Sequence, residues 1–126
     1  MDFSLDEEQQ MFSTMVHDWV EKETPKNVAR DWEAKEFEYP FELWDKMSAA
    51  GFHAIGLPEE VGGQGGGIMT QMILARGLAR SLAGLTWIWG ISSFCAKSLD
   101  KFGSETLRYE LLPKLAAGDI RMAISV

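Results

Sequence analysis

At 126 residues, 46% of them hydrophobic and 25% charged, the chain has the size and composition of one globular domain. A chain of this length removes roughly two-thirds of its unfolded surface from water, so it folds without a metal or disulfides, and the single cysteine, Cys95, allows no internal disulfide. Twelve Lys and Arg against nineteen Asp and Glu give a net charge of -7, which repels nucleic-acid phosphates and anionic membrane surfaces.

The amino terminus, Met1-Asp2-Phe3-Ser4-Leu5-Asp6-Glu7-Glu8, is acidic where a signal or transit peptide is basic, which makes a cytoplasmic location the default expectation. Ser4-Leu5-Asp6-Glu7 fits a capping box, so a helix is expected to start there. Phe12, Met15, Val16, Trp19 and Val20 recur at three- and four-residue spacing and form one buried stripe that Pro25 ends. A short charged helix follows, roughly from Asn27 to Lys35. Pro40 stands where a first helical residue would, Phe41, Leu43, Trp44 and Met47 make the apolar side, and Gly51 supplies the left-handed residue that closes this third helix.

From Phe52 to Gly67 the periodicity is lost, and Pro58 with five glycines between Gly62 and Gly67 predicts a long connection. Helical spacing resumes at Ile68 and carries Met72, Ile73, Leu78 and Leu82 to an interruption at Gly84. The next helix, Leu85 to Phe102, is apolar almost all round, which predicts a central, buried position. The longest uncharged stretch, Ser81 to Ala96, is too short and too polar to span a bilayer. Ser104 caps a last helix that Pro113 is expected to bend and Gly118 to end. Met122 to Val126 then alternates like the start of a strand. The pattern is all-α: an up-and-down bundle of five to six helices over residues 1–120, with residues 121–126 opening a following β domain. A strand without a partner is not a stable ending, so the chain reads as the front part of a longer protein.

Few residues suggest chemistry. The Gly62 to Gly67 run precedes a helix, where N–H groups can cradle a phosphate, but it lacks the Gly-Lys-Ser/Thr of a P-loop and the dinucleotide spacing. A turn needing positive φ is the commoner meaning. His17 and His53 lie on different elements with no second ligand at metal-binding spacing. Cys95, in an apolar helix, reads as inert packing, and the adjacent Glu59 and Glu60 as a solvated loop. Thr86, Trp87, Gly90 and Phe94 fall at helical intervals and fit either one wall of an apolar ligand pocket or ordinary core, the more frequent use of such a stripe.

Taken in order, four segments carry a resemblance: Leu5-Asp6-Glu7-Glu8-Gln9, then Gly51-Phe52-His53-Ala54-Ile55-Gly56-Leu57-Pro58-Glu59-Glu60-Val61-Gly62-Gly63, then Phe102-Gly103-Ser104-Glu105, then Leu112-Pro113-Lys114-Leu115-Ala116-Ala117-Gly118-Asp119. The chain resembles the amino-terminal helical domain of the acyl-CoA dehydrogenase family over essentially its whole length. The resemblance implies an enzyme that uses FAD to oxidise the Cα–Cβ bond of an acyl-CoA thioester to the 2-enoyl-CoA, with a glutamate base beyond Val126. It implies an electron-transfer flavoprotein as acceptor and a homo-tetramer or dimer. It puts the first flavin-contacting residues at Ile124, Ser125 and Val126, and maps the closed end of the acyl tunnel onto Thr86, Trp87, Gly90 and Phe94. No catalytic residue and no metal ligand is assigned within the chain, and the fragment alone is expected to be inactive and not to hold FAD tightly. The same scaffold in acyl-CoA oxidases and flavin monooxygenases, and a stand-alone helical interaction module, are the alternative readings. One departure is that Arg76-Gly77-Leu78-Ala79 stands where the family often carries Glu-Glu-Leu-Ala.

Overall fold

A computed structural model of the chain describes residues 4–35 and 38–125. It contains six helices, α1 (Glu7–Glu23), α2 (Lys26–Glu33), α3 (Phe41–Ala49), α4 (Ile68–Ala79), α5 (Ala83–Phe102) and α6 (Glu105–Ala117), with two 3-10 turns, Phe52–Ala54 and Glu59–Val61, in the long connection. The all-α architecture expected from the periodicity is present, and the described residues form no strand.

The first helix begins two residues later than its serine suggests. Asp6 is the N-cap: its carboxylate accepts from the Gln9 N–H at 2.8 Å, and the Gln9 side chain accepts from the Asp6 N–H at 3.2 Å. The box logic is the same, shifted to the pair that offers a charged acceptor and a reciprocal amide. Gly51 at φ +72° and Gly118 at φ +81° close their helices in the left-handed conformation, as anticipated. The break between α4 and α5 falls at residues 80–82, so Gly84 lies in the first turn of α5, where the open N–H groups make a glycine inexpensive. α6 runs through Pro113 to Ala117; Pro113 and Tyr109, whose carbonyl loses its helical partner, are both exposed, so that carbonyl is open to solvent.

Two apolar clusters hold the bundle. The larger joins Val16 and Val20 of α1, Leu43, Trp44 and Met47 of α3, Leu74 and Leu78 of α4, and Leu85 and Trp89 of α5, with Phe52 from the connection. The smaller sets Ala54, Leu57 and Val61 against Ala96 of α5 and Leu112 and Leu115 of α6. Burial of this apolar area drives the folding, and the glycines set how closely elements approach. A Cβ on Gly77 would overlap Val16, so the residue that departs from the family pattern lets α4 lie hard against α1.

Candidate functional site

α5 has two unlike sides. Its inner face presents Leu85, Trp89, Ser92, Cys95 and Ala96, all buried, and the Trp89 indole N–H donates to the Phe52 carbonyl at 2.9 Å. Its outer face presents Trp87 and Phe94, 73% and 61% exposed, with Gly90 one turn from each. The expectation of a central, wholly buried helix is thereby corrected: this face has no covering element among the described residues. Periodicity reports that a helix is apolar all round, but not what buries each side.

The structure sorts the four predicted pocket residues. Thr86 is turned toward α4, its hydroxyl donating to the Ala75 carbonyl at 3.0 Å, and serves helix pairing. Trp87, Gly90 and Phe94 share the open face, and an ideal Cβ at Gly90 would meet nothing within 4 Å. No neighbouring helix among the described residues accounts for that glycine. Beside it, Trp87, Ile88 and Ile91 border an open apolar concavity of about 400 Å³ whose far bank is Tyr39, Met122 and Ala123. Of the predicted set only Trp87 lines that concavity; Ile88, Ile91 and Tyr39 are lining residues the sequence reading missed. Ile88 and Ile91 were legible as α5 apolar positions, whereas Tyr39 arrives through tertiary packing, which spacing does not report.

Arg121 borders the same concavity. Its guanidinium lies 5.4, 4.7 and 5.6 Å from the ring centroids of Tyr39, Phe41 and Trp44, which fixes the path of the chain after α6 by cation–π attraction. Burial pushes the Tyr39 phenol above its ordinary value against the opposing pull of Arg121, so it presents a neutral hydroxyl at physiological pH. Of the predicted flavin contacts, Ile124 and Ser125 are exposed, and Val126 lies outside the described residues. No backbone hydrogen bond within the described chain engages residues 121–125, which leaves their polar groups open to another segment.

The remaining candidates settle into structural roles. In the glycine run Gly62, Gly65 and Gly66 have φ of +81°, +62° and +90°. The N–H groups of Gly63, Gln64 and Gly65 are spent on the carbonyls of Pro58, Ala54 and Leu57 at 2.9 Å each. The run is a turn folded back on the preceding segment, as the commoner meaning had it. His17 is exposed on α1, Cys95 is buried and free, and the described residues contain no cluster that could hold a metal ion. His53 is the surprise. It is 6% exposed, stacked on Trp44 at 3.9 Å, and burial lowers its pKa to about 4. A lone histidine after a turn glycine carries no sequence signal of burial. Glu60 turns out to pair with Arg108 of α6 at 3.2 Å, and Arg108 holds Asp100 of α5 at 2.6 Å, pinning the connection to the bundle.

The family model for the acyl-CoA dehydrogenase N-terminal domain matches residues 6–119. The chain belongs to this family. The acyl-CoA dehydrogenase domain is similar to an acryloyl-CoA reductase (NADH) of Anaerotignum propionicum, 30% identical over 94% of this chain and 29% of that protein. It is also 30% identical to the mitochondrial isobutyryl-CoA dehydrogenase of Bos taurus, over 88% of this chain and 26% of that protein. The butyryl-CoA dehydrogenase structure from Megasphaera elsdenii superposes with a TM-score of 0.82 at 27% identity, covering 96% of this chain and 32% of that one. The acyl-CoA dehydrogenase domain thus spans less than a third of the length of each of these relatives.

Proposed function

We propose that this chain works as the helical domain of a flavin-dependent acyl-CoA dehydrogenase and supplies, through the outer face of α5, a wall for the acyl group of an acyl-CoA thioester. The observation that carries the reading is the uncovered apolar face of Trp87, Gly90 and Phe94 beside the Trp87, Ile88 and Ile91 concavity, in a chain of that family. Water leaves such a surface at a gain of roughly 25 cal/mol per Å² when a hydrocarbon chain covers it. The whole protein would convert the acyl-CoA to its 2-enoyl-CoA, pass the electrons on to an electron-transfer flavoprotein, and assemble as a homo-dimer or tetramer. The base that takes the proton lies outside this chain in this reading, and so does the closure of the pocket. Residues 121–126 open the next domain.

FAD belongs to the same proposal. Ile124 and Ser125, exposed on a segment with open backbone groups, offer an edge against which a cofactor can lie, but they enclose no ring system. They do not amount to a flavin site by themselves, and no chemical step is assigned to these residues. The described residues contain no helix long and apolar enough to cross a membrane.

The test is anaerobic addition of straight and branched acyl-CoAs to the whole protein, purified with its cofactor. The reading predicts loss of oxidised-flavin absorbance and formation of the 2-enoyl product. A whole protein that purifies without flavin, or whose flavin no acyl-CoA reduces, overturns it.

A further inference from the structure

Behind the α5 wall, where the first 3-10 turn meets the inner face of the helix, the polar groups leave one acceptor unserved. His53 has two ring nitrogens. Nε2 lies 3.5 Å from the Trp44 carbonyl, which only accepts, so Nε2 carries the hydrogen and Nδ1 bears the lone pair. Nδ1 is buried and has no hydrogen-bond partner among the described residues. Three donors nearby are committed elsewhere: the Trp89 indole N–H to the Phe52 carbonyl, the Trp44 indole N–H to the Gly118 carbonyl at 2.8 Å, and the Ser48 hydroxyl to the Trp44 carbonyl at 3.0 Å.

A small cavity of about 10 Å³ adjoins the imidazole, lined by His53, Trp89, Ser92, Ser93, Ala96 and Leu115. That is the space one water molecule needs, of order 10 Å³. Ser92 is 8% exposed, and its hydroxyl donates to no described residue. A buried acceptor without a donor and an uncommitted hydroxyl thus belong to residues that line one water-sized space. Leaving such an acceptor bare is costly, and a bridging water removes that cost.

We infer that His53 Nδ1 and Ser92 Oγ hold a single ordered water that ties the Phe52–Ala54 turn to the back of α5. The water donates one hydrogen to Nδ1, and Ser92 supplies its second contact. Ser92 also borders the outer concavity, so drawing its hydroxyl inward leaves that side of the groove apolar. The site fixes the height of α5 above the turn without placing a polar group against the ligand face. It stands on the geometry of this chain and not on the proposed activity.

A crystal structure of the protein at a resolution that orders single waters decides the matter. The expected result is one density peak within hydrogen-bond distance of both His53 Nδ1 and Ser92 Oγ, lost in Ser92→Val, whose methyl groups fill the space. An empty cavity in the wild-type protein, or a serine hydroxyl bonded directly to Nδ1, overturns the inference. The wild-type map suffices even where Ser92→Val fails to fold.

Discussion

Burial against Trp44 moves the His53 pKa from 6.5 to about 4, because the imidazolium has no carboxylate partner to offset its lost hydration. The unfolded chain takes up this proton near pH 6.5 while the folded one resists it, so the unfolded state binds more protons between the two values. Stability from this group is complete above about pH 6.5 and falls as the pH drops toward 4, by roughly 3 kcal/mol in all. Urea unfolding of the wild type and of His53→Gln from pH 7 to 4 is the measurement. The difference between them should shrink toward acid pH, and parallel curves would show that His53 does not titrate in this window. At this scale Trp87 and Gly90 were legible as exceptional residues, an indole and a glycine in one apolar helix. His53 was not, since its burial comes from the turn that Gly51 makes and from Trp44, nine residues away.

Among the elements, the α1 and α4 contact is the most sharply set. Helix propensity alone makes Gly77→Ala stabilising by about 1 kcal/mol in mid-helix. The added methyl group would instead overlap Val16, a stiff β-branched side chain only 1% exposed, and overpacking of that kind costs about 1–3 kcal/mol. The structure therefore predicts net destabilisation and a lower denaturation midpoint for Gly77→Ala. An increase in stability would mean that the helices part at little cost. The helices themselves were readable from caps, prolines and the 3.6-residue period. The exact start of α1 and the break before α5 shifted by about two residues because caps compete locally and the chain picks the better acceptor. The exposure of that side of α5 was not legible, although Trp87, Gly90 and Phe94 were grouped on one face: an apolar face covered by another segment and one covered by this bundle give the same pattern.

At the scale of the molecule, Trp87, Phe94 and Phe102 stand 73%, 61% and 80% exposed along one helix, an apolar surface unusual for a stable monomer. The 126-residue chain by itself is predicted to self-associate as its concentration rises and to elute colourless after mixing with FAD. Sedimentation velocity over a range of concentrations checks the first point and gel filtration the second. A strictly monomeric species, or one that stays yellow, would contradict the view that other segments normally cover this face and complete the flavin site. The family was legible from four short segments, since turn and cap residues such as those in Leu57-Pro58-Glu59-Glu60 are tied to backbone geometry. The acyl specificity was not, because spacing on one helix does not show which residues on other elements, such as Tyr39, line the same concavity.

If the outer face of α5 meets the acyl chain, Gly90 is the residue to change, because none of the described residues comes within 4 Å of a Cβ placed there. Turnover of a graded series of acyl-CoAs by the whole protein should be compared between wild type and Gly90→Leu, with Trp87→Ala as the opposing variant. Gly90→Leu should penalise long or bulky acyl-CoAs at least tenfold more than butyryl-CoA, a differential of about 1.4 kcal/mol, while Trp87→Ala should widen the accepted range. Equal losses across all chain lengths for Gly90→Leu would contradict it and return Gly90 to a packing role.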